Sequence, residues 1–140
     1  MQGTMSRIFT IRQLTKEFSV TARTLRFYED EGLIAPERRG QTRIYSVRDR
    51  ARIILILRGR RMGFSLAEIR EYLELYDRNL SVNQLLHARR KFEERIVAFE
   101  RQKADIDTSI TELRRSIAEV EDRMANQARK AAPREAMAAE

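Results

Sequence analysis

Up to residue 80 the apolar positions fall into short amphipathic blocks separated by glycine or proline; beyond Ser81 they form one long unbroken stripe. Ile11, Leu14 and Phe18 share one side of a helix that Thr10 opens, with Gln13 placed to complete a reciprocal capping box. Ser19-Val20 reads as a tight turn and Thr21 as the next cap. A second helix over Ala22–Glu31 turns Leu25 and Tyr28 inward. Gly32 ends it where a left-handed conformation is needed, with Leu33 as the apolar partner of that cap. Two short helices joined by about three residues predict a helix-turn-helix.

Pro36 stops any continuation, and Glu37–Tyr45 (ERRGQTRIY) sets Gly40 between two extended arms that carry arginines. That predicts a β-hairpin, which after a helix-turn-helix is a wing. Ser46 caps a third helix, Val47–Met62, apolar at Ile53, Ile54, Ile56 and Leu57, and Gly63-Phe64 repeats the glycine-plus-apolar stop. Ser65 and Glu68 form a second capping box, opening a fourth helix with Leu66, Ile69, Leu73 and Tyr76 on its face. Burying such side chains at about 1.5–3 kcal/mol each supports a domain of this size.

Ser81 and Gln84 form a third box, and from there to Pro133 the chain has neither glycine nor proline. Ile96, Ile110, Ile117 and Met124 occupy one heptad position; Leu85, Phe92, Phe99, Ile106, Leu113 and Val120 occupy the other. Such a period predicts a coiled coil, with Arg89 and Lys103 as polar interruptions of its seam. Some 45–48 residues at about 1.5 Å each make a rod of roughly 70 Å. Its narrow stripe calls for a second copy of the chain as partner. The tail Ala131–Glu140, small and polar after Pro133, is expected to be disordered.

Charge sharpens this picture. The 140 residues carry 28 Lys+Arg against 21 Asp+Glu, and 24 of the basic residues are arginine. Residues 1–63 hold 14 basic and 6 acidic side chains, residues 64–140 hold 14 and 15. A basic domain joined to a neutral one is the electrostatic footprint of a nucleic-acid binder. The alternative is a cationic surface that serves solubility. The absence of cysteine and the single histidine, His87, leave no thiolate site and no His-based metal cluster. His87 itself reads as solvated. No apolar run approaches the ~18 residues of a membrane span, and the first residues lack a signal-peptide pattern, so a cytoplasmic, nucleoid-associated protein is expected. No acid–base pair, phosphate loop or metal set suggests an enzyme, and no cofactor is expected.

The candidate DNA contacts follow from the elements. Arg23, Thr24, Arg26 and Phe27 lie near the start of the second helix, where a recognition helix reaches base edges. Arginine pairs with guanine and phenylalanine packs on a thymine methyl. The other possibility is a solvated face paired to Glu29 or Glu31, with Phe27 as a peripheral core contact. In the wing, Arg38, Arg39, Arg43 and Tyr45 are placed to reach phosphates or the flanking minor groove. Arg38 and Arg39 can equally be edge-strand protection, and Tyr45 a core residue under the wing. Of the cluster Arg58, Arg60, Arg61, Arg60 is the candidate backbone contact.

These stretches resemble a known family. Thr21-Ala22-Arg23-Thr24-Leu25-Arg26-Phe27-Tyr28-Glu29, then Gly32-Leu33-Ile34, then Arg43-Ile44-Tyr45, then Met62-Gly63-Phe64-Ser65-Leu66-Ala67-Glu68-Ile69 are similar in order and spacing to a MerR-type transcriptional regulator, over about residues 8–77. The resemblance implies an antiparallel coiled coil, an orientation the heptads alone do not set. It places Arg23, Arg26 and Phe27 on recognition-helix contacts, Arg43 on a wing contact and Arg60 on a backbone contact. The family's wing often reads Asn-Gly-Tyr-Arg; here it is Gly40-Gln41-Thr42-Arg43, with Thr42 in place of the aromatic. It further implies a homodimer on a pseudo-palindromic promoter operator that bends and untwists the DNA for RNA polymerase. Metal- and redox-sensing members use cysteines, and drug-binding members a large C-terminal domain. A small organic effector, or none, is left for this chain. The stretch Ile56-Leu57-Arg58-Gly59 and the residues after it are similar to members controlling branched-chain amino-acid or acyl-CoA breakdown.

The expected fold is therefore mainly α. A winged helix-turn-helix DNA-binding domain spans 1–78, a coiled-coil dimerisation helix 79–129 and a disordered tail 130–140. The expected function is sequence-specific regulation on double-stranded promoter DNA; the rival is an architectural protein that holds phosphates without reading sequence.

Overall fold

A computed structural model describes residues 7–138, with side chains over residues 7–132. Its elements run β1 (Ile8–Thr10), α1 (Ile11–Phe18), α2 (Ala22–Asp30), β2 (Glu37–Arg39), β3 (Thr42–Ser46), α3 (Val47–Arg61), α4 (Leu66–Asp77) and α5 (Val82–Ala138). All three capping boxes form. Gln13 N–H donates to Thr10 Oγ1 at 3.1 Å while Thr10 N–H donates to Gln13 Oε1 at 2.9 Å. The same reciprocal pattern joins Ser65 with Glu68 and Ser81 with Gln84. Each satisfies two backbone donors that a helix start otherwise leaves open.

The stops follow the glycines. Gly32 lies at φ +72°, letting Leu33 N–H donate to the Tyr28 carbonyl at 2.9 Å; Gly63, at φ +78°, does the same for Phe64 and Gly59. Ser19 takes the left-handed conformation at φ 54° between α1 and α2, so the helix-turn-helix bend falls where the sequence places it.

The strand β1 is not among the elements expected from the pattern. Ile8-Phe9-Thr10 is too short to show alternation, yet it pairs antiparallel with β3, Phe9 opposite Tyr45, giving a three-stranded sheet of order β1-β3-β2. Arg50 of α3 holds this corner together. Its guanidinium lies 5.8 Å from the Phe9 ring centroid and 5.7 Å from that of Phe18, and it is ion-paired with Glu17.

Leu14, Leu25, Tyr28, Leu33, Ile34, Tyr45, Ile53, Ile56, Ile69 and Leu73 are buried and form the core beneath the sheet and helices. On α4 the expected inward position Tyr76 is exposed, and Tyr72 is buried in its stead, with the Tyr76 ring edge-on to it at 5.6 Å. Both fit a 3.6-residue period starting at Ile69, so spacing alone does not choose between them. Gly59 is what lets α3 and α4 approach. A Cβ there would meet Ile69 Cγ1 at 3.0 Å. Gly59→Val is therefore expected to cost about 1–3 kcal/mol in urea unfolding, as overpacking does.

Asp49 is the one buried charged side chain among the described residues, and its carboxylate is fully employed. Oδ2 accepts from Ser46 N–H at 2.9 Å and Ser46 Oγ–H at 3.0 Å, and Oδ1 accepts from Ala35 N–H at 3.2 Å. It thereby closes the α3 cap and ties the segment before the wing to the helix after it. Asp49→Ala strands these donors, and thermal or urea unfolding is expected to show a loss of about 1–3 kcal/mol.

The chain divides into two units between Lys91 and Phe92, and α5 supplies the second. Helical backbone extends past residue 129 to Ala138. Six alanines between Ala125 and Ala138 give the stretch high helix propensity. Residues 139–140 of the expected tail lie outside the described residues. No described helix is long and apolar enough to cross a membrane. Along the second unit Ile96, Phe99, Ile106, Ile110, Leu113, Ile117, Val120 and Met124 are exposed, a continuous apolar stripe on a charged helix; Leu85 in the first unit is exposed likewise, and Phe92 is partly covered.

Candidate nucleic-acid interface

α2 buries Leu25 and Tyr28, and the geometry of a nine-residue helix then turns Arg23, Arg26 and Phe27 outward. Phe27 is 44% exposed, a cost an aromatic ring incurs for no stability benefit. Neither Arg23 nor Arg26 is ion-paired among the described residues. The acidic neighbours that were alternative partners are taken: Glu29 by the wing and Glu31 by Arg70 at 3.1 Å. Two unpaired guanidinium groups flank an exposed ring. Thr24 is placed differently from expectation. It is half-buried, and its hydroxyl lies 2.9 Å from that of Thr21, whose oxygen also accepts from Thr24 N–H. Its hydroxyl therefore belongs to the helix cap.

Arg23, Thr24 and Phe27 line one wall of an open groove of about 440 Å³. Tyr28, Arg60, Phe64, Leu66 and Ile69 complete its lining. Arg60 is exposed and donates from Nη1 to the Tyr28 hydroxyl at 2.8 Å, which holds it in the groove it shares with Arg23 and Thr24 of α2. Tyr28 is thus both a core ring and the support of a candidate backbone contact, a second role that spacing did not reveal. The structure brings Arg60 beside the recognition-helix candidates although 33 positions separate it from Phe27 in sequence.

The wing departs further from expectation. Tyr45 is fully buried, so it is not a DNA contact but the core residue under the hairpin. Its position opposite Phe9 on the sheet's inner face is the reason. Burial raises its phenol pKa, and its hydroxyl has no hydrogen-bond partner among the described residues. Arg38 and Arg43 are direct partners in the β2–β3 register and so share a face, and both turn to Glu29 of α2. Arg39 projects on the other face, 64% exposed, with Glu37 3.5 Å away.

Glu29 is the functional candidate that sequence reading passed over. Burial opposes its ionisation, but the Arg43 hydrogen bond and the charges of Arg43 and Arg38 outweigh this and hold its carboxyl below the ordinary 4.5. A lowered folded-state pKa means the pair contributes its full stability above the unfolded value and loses it as pH falls through the folded one. The Arg43 Nε–H resonance is therefore expected to shift at a lower pH than that at which an ordinary glutamate titrates.

Residues 9–76 match the family model described as MerR HTH family regulatory protein, and residues 50–116 match that described as MerR, DNA binding. The second runs from α3 through α4 into the long helix, so the two together take in both units. Between them the two MerR models match residues 9–116. It is 38% identical over 68 residues to the HTH-type transcriptional regulator HmrR of Rhizobium leguminosarum bv. viciae, covering 48% of this chain and 53% of that protein. It is 42% identical over 67 residues to the HTH-type transcriptional regulator CueR of Vibrio cholerae, covering 46% and 48%. The chain thus spans about half the length of the curated relatives it matches. A MerR-family transcriptional regulator from Bacillus cereus shares the fold at a TM-score of 0.60 and 23% identity, over 76% of this chain and 79% of that one. MerR proteins are DNA-binding transcriptional regulators, and the groove beside α2 lies within the first matched segment.

Proposed function

We propose that this chain is a MerR-family, sequence-specific transcriptional regulator that binds promoter DNA as a homodimer. The observation that carries the reading is the outer face of α2, where the unpaired Arg23 and Arg26 flank the exposed Phe27. A nine-residue helix is about 13 Å long, a length suited to the major groove. Arg23 and Arg26 then read guanine edges, Phe27 packs on a thymine methyl, and Arg60 and the exposed Arg39 hold flanking phosphates.

The stripe on α5 supports the second half of the reading. A run of exposed apolar residues in heptad register is satisfied by a second copy, and antiparallel pairing follows the family. Two recognition helices related by a two-fold axis call for an inverted-repeat operator. Distortion of the base pairs between half-sites, to the benefit of RNA polymerase, is the accompanying mechanism. The likeness to regulators of branched-chain amino-acid or acyl-CoA breakdown has a structural explanation of its own. Ile56 and Gly59 of that stretch are buried, Gly59 against α4, so the stretch reports helix packing and does not bear on a ligand.

The rival reading, an architectural protein, separates from this one on salt. A randomised-site selection at about 0.15 M salt is expected to return an inverted repeat. The recovered duplex should be bound at least about 10³-fold more tightly than random DNA. Affinity that falls steeply and equally on both duplexes as salt rises would establish the architectural protein.

A further inference from the structure

The wing's two inward arginines converge on one carboxylate of the recognition helix. We propose that Glu29 is a positioning residue that fixes the wing against α2, with Arg43 as its anchor and not as a DNA ligand; the consequence for operator binding rests on the function proposed above, the geometry does not.

Four observations support this. Arg43 Nε–H donates to Glu29 Oε2 at 2.8 Å, and the two side chains are only 21% and 15% exposed. Arg38, its register partner on β2, donates from Nη2 to the other oxygen, Oε1, at 3.4 Å. One carboxylate therefore engages both strands of the hairpin, which a single pair would not do. Two positions beyond Arg43, on the same face of β3, Tyr45 is sunk in the core. The hairpin is thus anchored to the core at its base and to α2 at its middle, leaving the turn at Gly40-Gln41 as the part that projects. Arg38 is 58% exposed and keeps donors for a phosphate; Arg43 does not present its guanidinium in the same way.

Hairpin position matters to recognition because flanking contacts fix the register of the recognition helix on the duplex. An ion pair that is largely shielded from water and made through Nε holds direction as well as distance. Glu29 also lies on the same helix as Arg23 and Arg26, three positions beyond the latter, so the wing is set relative to the base-reading side chains themselves.

The experiment uses the full chain with Glu29→Gln, Arg43→Gln and the double substitution. Amide hydrogen exchange is read without DNA in residues 37–46, with α3 and α4 as the internal control. Affinity and salt slope are read on the duplex recovered by the randomised-site selection. Each single variant should exchange at least about fivefold faster in the hairpin than wild type, and the double no faster than the worse single. Glu29→Gln should bind the duplex more weakly although it removes a negative charge. Arg43→Gln should bind more weakly with an unchanged salt slope. Hairpin exchange at the wild-type level in Glu29→Gln overturns the proposal. So does a salt slope in Arg43→Gln reduced by about 0.9, the mark of a lost phosphate contact. If wild type selects no sequence, the regulator reading fails, and the exchange result alone decides the clamp.

Discussion

Replacing Ile110 and Leu113 together by aspartate is expected to turn the proposed dimer into a monomer and to abolish operator binding while the basic domain stays folded. Both residues are exposed on the isolated helix, and they occupy the two alternate seam positions of the heptad frame. In a dimer each is buried, for a gain of about 1.5–3 kcal/mol per side chain. The substitution acts on both copies, so at least about 6 kcal/mol of burial is lost before the cost of placing four carboxylates in an apolar seam is added. That corresponds to a dissociation constant raised by about 10⁴-fold or more. Sedimentation equilibrium reads the oligomeric state, and gel retardation reads the DNA complex. A monomeric half binds one half-site and forfeits the avidity of two. A variant that is monomeric and still binds the full operator as wild type would show that the rod does not serve recognition.

Arg23→Ala and Arg26→Ala are each expected to cost about 1–3 kcal/mol on the operator and much less on random duplex. A guanidinium that makes a bidentate contact with guanine loses both bonds, and the wrong base is then tolerated. Folding should be untouched, since neither side chain is buried or ion-paired among the described residues. The same reasoning assigns Arg60 a different signature. Held by the Tyr28 hydroxyl at the groove, it is proposed to contact backbone, so Arg60→Ala should weaken all duplexes about equally and lower the salt slope by about 0.9. Equal losses on operator and random DNA for Arg23→Ala would move Arg23 into that backbone class.

What was legible in the sequence was local. The helix starts announce themselves because Thr10, Ser65 and Ser81 are each followed three residues later by the glutamine or glutamate that completes the cap. The stops at Gly32 and Gly63 are equally local, as is the outward turn of Arg23, Arg26 and Phe27 once Leu25 and Tyr28 are known to face inward. What was missed depends on residues far apart in the chain. Strand β1 exists because Phe9 finds Tyr45 and Arg50, 36 and 41 positions away. The wing arginines were read as one basic cluster, but register gives Arg38 and Arg43 one face and Arg39 the other, and Glu29 takes the first two. Arg43 and Tyr45 share one face of β3 by spacing; that this face is the inward one required the partner strand. Choosing between Tyr72 and Tyr76 likewise required the position of Phe64, whose ring lies 6.3 Å from that of Tyr72.

The central claim is that the α2 faces of two copies read a defined DNA sequence. The most direct test is to incubate the purified protein with fragmented DNA of its own genome at about 0.15 M salt and sequence what is retained. A small number of sharp sites is predicted, each an inverted repeat within a promoter, lost on Arg23→Ala. Diffuse retention without a shared repeat, and unchanged by that substitution, would contradict it.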